Sequence, residues 1–203
     1  KEFYLASSSE VYQNPPYIPS DEKVALSIPD PKNPRYSYAA GKIISEIMTL
    51  NSDIFKKAVI FRPHNIYGPN MGYNHVIPEV ILKSIKAKKN IKIKGKGSHT
   101  RSFCYIDDFV DAFNILLKKG KNKNIYNIGT QHEIKIKDLV NKIIKISQKK
   151  LTIINSTERE GDVLRRCPNI KKIRNLGFKP KHNLLTGLEK TYEWYFKDFN
   201  DQI

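Results

Sequence analysis

The chain has 203 residues, of which 39% are hydrophobic and 28% charged, enough apolar material to bury a core and too polar for a membrane-embedded body. No run of about 18 apolar residues occurs, and KEFYLASSSEVY lacks both the basic start and the apolar centre of a signal peptide, so a soluble cytoplasmic protein with no membrane partner is expected. The net charge of +16 could draw in a polyanion, but most of it is Lys dispersed among Ile and Asn, as in IKAKKNIKIKGKG, which reads as solvated faces rather than a nucleic-acid site.

In chain order, EFYLAS reads as a buried strand with no leader or cap before it, the pattern expected of a fragment that opens inside a core. A proline-rich loop, NPPYIPSDEKVALSIPDPKNPR, precedes a helix from about Tyr36 to Asn51, with Ile43, Ile44, Ile47 and Leu50 at helical spacing. AVIFR then reads as a strand running into a loop closed by Gly68 and Pro69. Strand, helix, strand in this order predicts a parallel sheet. HVIPEVILKSIKAKK follows as an amphipathic helix and NIKIKG as a short strand. IDDFVDAFNILLKKG is a helix whose Asp107 and Asp108 suit a capped, positive N-terminal end. IYNIG is a strand, IKIKDLVNKIIKISQ a helix and LTIIN another strand. A short helix after Pro168 and a final amphipathic helix near LLTGLEKTYEWYFKDF, with Trp194 expected in the core, complete the chain. Cys104 and Cys167 have neither a C-x-x-C nor a neighbouring His pair, so reduced thiols are expected rather than a disulfide or zinc site.

The stretch Tyr38-Ala39-Ala40-Gly41-Lys42 places a phenol and an ammonium four residues apart, on one helix face. A phenol ionises near ~10, and a nearby ammonium favours the phenolate, so such a pair can move a proton. Alone the spacing also fits an exposed helical pair. The preceding strand, however, ends in three serines and Glu10, and active sites of open parallel sheets gather at strand ends. A hydroxyl at Ser8 could hold a sugar oxygen while Tyr38 takes its proton, the pairing needed to oxidise an alcohol by hydride transfer.

SSSEVY, YSYAAGK, FRPHNIYGPNMG, GSHTRSFCYIDD, YNIGT and GDVLRRCPNIKKIRNLGFKPK resemble, in order, the motifs of extended short-chain dehydrogenase/reductases that act on nucleotide-sugars with NAD. The resemblance implies an α/β fold: the C-terminal part of a Rossmann-type doubly wound parallel sheet plus a smaller α+β substrate-binding lobe. Residues 1–68 and 104–129 would belong to the first and 69–103 and 130–203 to the second. It carries Ser8, Tyr38 and Lys42 over as the catalytic Ser/Thr, Tyr and Lys, with Tyr38 and Lys42 also at the cofactor, and Glu10 as the added acidic residue of the decarboxylase and dehydratase branches. The 4,6-dehydratases carry Thr-Asp-Glu where this chain has Ser8-Ser9-Glu10, and a serine cannot supply the proton that a departing hydroxyl needs. The triplet is similar to the Thr-Ser-Glu of UDP-glucuronate decarboxylases, whose R-x-P-D-I segment is matched by Arg166-Cys167-Pro168-Asn169-Ile170. Epimerisation or decarboxylation of a nucleotide-sugar, UDP-linked by preference, through a transient 4-keto intermediate is therefore expected ahead of dehydration. The resemblance also implies a role in supplying precursors of surface polysaccharides.

Substrate contacts are expected from Ser9, from Asn65 in HNIYGP, and from Arg101 and Arg166, two of only seven arginines, since a guanidinium grips diphosphate oxygens as a fork. His64, beside Asn65, is placed at the nicotinamide or substrate. His64, His75 and His99 show no ligand spacing, and no metal is expected. The glycine-rich strand-turn-helix that receives the NAD pyrophosphate does not occur in these residues. By the resemblance it would precede them in a longer protein, a homodimer when whole, and the fragment alone is expected to be inactive. A noncatalytic nucleotide- or RNA-binding protein on the same scaffold is the competing reading.

Overall fold

A computed structural model describes residues 1–157 and 163–201 of the chain. Gly161 and Asp162, which open the last of the family-like motifs, lie outside the described residues. The elements are β1 (Glu2–Ala6), α1 (Ser37–Asn51), β2 (Lys57–Pro63), β3 (Ile66–Tyr67), α2 (Val76–Lys86), β4 (Asn90–Lys94), β5 (Thr100–Ser102), β6 (Cys104–Tyr105) and α3 (Ile106–Lys119). They continue with β7 (Asn124–Ile128), β8 (Glu133–Lys135), α4 (Ile136–Ile146), β9 (Thr152–Ser156), β10 (Arg165–Arg166), α5 (Lys171–Arg174) and α6 (Leu184–Asp201). The fold is α/β with parallel sheets, as expected. Two compact units emerge: 1–66, 102–132 and 166–180 in the first, and 67–101, 133–165 and 181–203 in the second.

In the first unit β1, β2 and β7 form a parallel sheet in the order β1-β2-β7, with Ala6 opposite Phe61 and Arg62 opposite Asn127. Side chains alternate across the pleat. Tyr4, Val59, Phe61, Tyr126 and Ile128 therefore share one face, where they pack with Phe109, Ala112, Phe113 and Leu116 of α3 and with Ile170, Ile173 and Phe178. Burying each such side chain stabilises by about 1.5–3 kcal/mol. These last three apolar residues bring 166–180 into the first unit, where the sequence reading had grouped them with the second lobe. The opposite face of the sheet receives α1.

Three expectations give way to packing here. β1 is half-buried rather than buried, with Glu2 and Ala6 exposed, because among the described residues it pairs with β2 along one edge. Helix α1 buries Ala39, Glu46 and Thr49 and leaves Ile44, Ile47 and Met48 exposed by 57%, 55% and 68%, so only part of the apolar stripe turns inward: Leu50 is half-buried and Ile43 packs against Val11, Tyr12 and Val24. The N-cap of α3 is Tyr105, without a side-chain bond, and Asp107 and Asp108 instead occupy the first turn, where negative charge suits the helix dipole.

In the second unit α2, α4 and α6 pack together around Ile77, Val80, Ile81, Leu139, Val140, Ile143, Leu188 and Tyr195. β4 pairs in parallel with β9 and turns Ile91 and Ile93 inward. Lys149 Nζ donates to the carbonyls of Ser84 and Ala87 at 3.0 and 3.3 Å, satisfying the C-terminal end of α2. Trp194 is only half-buried and stands edge-on to Tyr195, which takes the core position in its place. Cys104 and Cys167 are both buried and unbridged, and burial pushes the Cys104 thiol up to about 12.

Candidate active site

Strand β1 ends at Ala6, and Ser7 N–H extends the ladder by donating to Phe61 O at 2.8 Å. Ser8 is extended, with φ −155° and ψ 153°, and its Oγ accepts from Glu10 N at 3.1 Å, capping a 3-10 turn over Ser9–Tyr12. The cap uses the Ser8 oxygen as an acceptor, so its own proton is left to donate to a ligand. The capping role and the proposed catalytic role of this serine are thus compatible. The turn buries Ser9, Val11 and Tyr12 and leaves Glu10 half-buried.

Tyr38, Lys42 and Glu46 follow one another at four-residue intervals along α1 and so share a face. Lys42 Nζ donates to Ala6 O at 2.8 Å, tying the helix to the strand end two residues before Ser8, and stands 5.7 Å from the centroid of the Tyr38 ring. Tyr38 itself is 55% exposed. One turn further, Glu46 is buried and meets Arg62 of β2 as a fork, with Arg62 Nε 2.9 Å from Oε1 and Nη2 2.6 Å from Oε2. Ser7 Oγ donates to the same Oε1.

The network continues inward from Arg62. Its Nη1 donates to Tyr12 Oη at 2.7 Å, and Tyr12 Oη donates to Asn127 Oδ1 at 2.8 Å. Asn127 Nδ2 donates to Ser20 O and Asn169 O at 3.1 and 3.3 Å, which fixes the amide with its oxygen toward His64 Nε2 at 3.1 Å. An amide oxygen only accepts, so Nε2 carries the histidine proton and Nδ1 is left as a bare acceptor. That Nδ1 is buried and has no hydrogen-bond partner among the described residues.

Burial opposes charge throughout this region, and hydrogen bonds decide which charges survive. Desolvation works against the Arg62 guanidinium, but its bonds to Glu46 and Tyr12 and the charge of Glu46 prevail and its pKa is raised. The Tyr12 hydroxyl is pushed up to about 12, chiefly by burial, in spite of Arg62. His64 is brought down to about 3, first by burial and further by Arg166 and Arg62. It is therefore neutral at physiological pH.

Of the residues expected from sequence, Ser8, Ser9, Glu10, Tyr38, Lys42, His64, Asn65 and Arg166 lie in the first unit and Arg101 in the second. Glu10 and Arg166, expected in separate roles, pair as a fork: Nη1 bonds Oε1 and Nη2 lies 3.3 Å from Oε2. Arg166 Nε is buried and has no hydrogen-bond partner among the described residues. Asn65 has φ 43°, a left-handed conformation that asparagine tolerates, and Nδ2 donates to Ser102 O at 2.9 Å. Arg101 Nη1 donates to the carbonyl of Thr100 at 2.8 Å. Among the described residues no three His, Cys, Asp or Glu side chains gather where a metal ion could sit, and no helix is long and apolar enough to cross a membrane.

Ser7, Tyr12, Glu46, Arg62 and Asn127 escaped the sequence reading. The available signals were slight: an acid four residues beyond Lys42, a charge inside the apolar AVIFRP, and an amide inside IYNIG.

The sequence profile of the NAD dependent epimerase/dehydratase family matches residues 1–129. Among curated proteins, dTDP-D-glucose 4,6-dehydratase of Homo sapiens is 32% identical over 210 residues, covering 99% of this chain and 58% of the human protein. The chain thus spans little more than half the length of such relatives. Among solved structures, UDP-N-acetylglucosamine 4-epimerase from Methanobrevibacter ruminantium, in complex with UDP-N-acetylmuramic acid, superposes with a TM-score of 0.85 at 24% identity, covering 98% of this chain and 64% of that one. dTDP-glucose 4,6-dehydratase from Bacillus anthracis, in complex with NAD, gives 0.82 at 23%, covering 97% and 62%. At these identities the two structures speak for the fold.

Proposed function

The chain belongs to the NAD dependent epimerase/dehydratase family, and from that premise we propose that the whole protein oxidises a nucleotide-sugar at C4 and then epimerises or decarboxylates it. The observation that carries this reading is the Lys42 tether to Ala6 O at 2.8 Å, which joins the helix bearing Tyr38 to the strand end bearing Ser8 and Glu10. NAD would be held by Tyr38, Lys42 and His64, and when bound supplies a hydride acceptor. The buried, unpartnered His64 Nδ1 fits such a group, because a neutral imidazole nitrogen accepts from an amide N–H. Tyr38 takes the proton of the sugar hydroxyl and Ser8 donates to the same oxygen, with Lys42 Nζ standing 5.7 Å from the Tyr38 ring. Glu10, paired to Arg166, stands ready as the second acid-base group. Arg166, with an Nε still to be satisfied, is the diphosphate ligand of this unit, and Asn65 and Ser9 line the sugar side.

Ser9 decides the reaction type in this reading. It is buried in the 3-10 turn and carries a hydroxyl where a dehydratase needs an acid. A 4,6-dehydratase is the second reading, favoured by the identity to the human enzyme of that name. The proposal extends to UDP-linked sugars, to a place in surface-polysaccharide supply, to a reducing cytoplasm that suits two buried free cysteines, and to a homodimer that would cover exposed Ile44, Ile47 and Met48.

The test incubates the full-length protein and NAD with UDP-glucose, UDP-glucuronate and dTDP-glucose, and identifies products by mass and NMR. An inverted stereocentre or loss of carbon dioxide is expected. Loss of water from a hexose would restore the dehydratase, and absence of turnover with every nucleotide-sugar would overturn the enzyme reading.

A further inference from the structure

Glu46 joins three segments of the candidate site. Its Oε1 accepts from Ser7 Oγ at the end of β1 and from Arg62 Nε at the end of β2, and its backbone lies on α1 one turn beyond Lys42. Arg62 reaches on to Tyr12 Oη at 2.7 Å. Ser7 and Tyr12 bracket the turn that presents Ser8 and Glu10, so the pair grips this turn at both ends and α1 at its middle. Both members are almost wholly buried, with side-chain exposures of 2% and 3%. Burying two charges demands several kcal/mol of desolvation per ion, and a well-packed apolar pair of similar volume is often as stable or more so. Stability alone is therefore a weak reason for an ion pair here, whereas a fork of fixed geometry orients its neighbours.

We propose that Glu46 and Arg62 are positioning residues, whose buried fork sets Ser8 and the Tyr38/Lys42 helix in register for proton transfer. The inference rests on the proposed activity at that site. Both side chains are buried away from the surface, so each acts through Ser7, Tyr12 and the backbone of α1. Proton transfer tolerates little error in donor-acceptor distance: a displacement of about 1 Å can lower a rate about a hundredfold. Binding through other contacts is far less sensitive.

Three full-length variants carry the test. Arg62→Lys keeps the charge and loses the fork; Ser7→Ala removes only the hydroxyl bonded to Glu46; the double variant Glu46→Leu/Arg62→Met replaces the pair with apolar bulk that can fold without it. Arg62→Lys and the double variant are expected to lower kcat about tenfold or more, and Ser7→Ala about threefold, with KM and NAD affinity within about threefold of the parent. Trace acetylation followed by mass spectrometry gives a readout that needs no turnover: Lys42, tied to Ala6 O, should label more readily relative to exposed Lys32 in each variant. A folded double variant with parental kcat and parental Lys42 labelling overturns the proposal. So does a fall in kcat that only tracks lost NAD binding. If the parent protein turns over no nucleotide-sugar, the activity reading fails while the labelling still decides whether the pair holds Lys42 in place.

Discussion

Asn127 is the most heavily committed amide of the site, and replacing it by Ala gives a sharp test of the buried network. It is fully buried; its Oδ1 accepts from Tyr12 Oη at 2.8 Å and His64 Nε2 at 3.1 Å. Its Nδ2 donates to Ser20 O, which Asn169 N also reaches at 2.7 Å, so that carbonyl stays satisfied in the variant. Two buried donors lose their acceptor, each at about 1–3 kcal/mol, for a total of about 2–6 kcal/mol. Against a domain stability of about 5–15 kcal/mol this is a large fraction. With a urea m-value of about 2–3 kcal/mol/M the midpoint should fall by about 0.7–3 M, measured by circular dichroism. Asn127→Asp is the informative control. It keeps an acceptor for both donors but turns a carboxylate toward the carbonyls of Ser20 and Asn169, so burial should raise its folded pKa above the unfolded value near about 4. Its stability should then approach the parent in acid and fall away as pH rises past about 4. Asn127→Ala within about 0.5 kcal/mol of the parent would show that the network is not what holds these loops together.

His64, brought down to about 3 mainly by burial, should remain neutral from pH 8 to pH 5. Its neutral form contributes stability in full above the unfolded value near about 6.5, and that contribution is lost as pH falls toward about 3. Long-range proton-nitrogen NMR of the imidazoles checks both the protonated Nε2 and the missing titration, and a His64 midpoint above 6 would refute the assignment. Tyr38→Phe in the full-length protein should lower hydride transfer by about 10²–10⁴ while weakening NAD binding far less, because the proton-transfer oxygen is removed and Lys42 and His64 still hold the cofactor. Since Tyr38 is 55% exposed, unfolding should shift by no more than about 0.5 kcal/mol, and a variant that keeps near-parental turnover contradicts the role.

The placement of Ser8 at a strand end and of Tyr38 and Lys42 on one face of a helix was legible because it is local: one strand end and one helical repeat of four. The helices α2, α3, α4 and α6 were legible for the same reason, their apolar residues recurring at helical spacing. The partners of Glu46, Arg62, Tyr12 and Asn127 were not, because the bonds run across 16, 50 and 115 positions of sequence and no spacing announces them. The helix α1 misled for a related reason. Its period correctly predicts a helix, but periodicity cannot say which face turns inward, and here the sheet offers Arg62 and Ala6 O to the polar face. Trp194 shows the same limit, since Tyr195, its neighbour on α6, takes the buried position.

The register of the sheet explains why polar residues could be buried at this one level. On the face toward α1, Leu5, Ile60 and Ile125 stand opposite one another and form an apolar row. One pleat further toward the carboxyl ends of the same strands come Ser7, Arg62 and Asn127, with Arg62 directly opposite Asn127. The strands thus change from core to polar lattice within a single pleat, and Glu46, Tyr12 and His64 close the hydrogen bonds of that row. A parallel sheet ends its ladder at this edge, where loops can bring backbone and side-chain partners to every buried group. The serine, tyrosine and lysine stand immediately beyond, on the solvent side of the same edge. The placement of exposed Tyr38 and of the turn at Ser8 thus follows from this polar row together with the apolar cluster of Val11, Tyr12 and Val24, against which Ile43 of α1 packs.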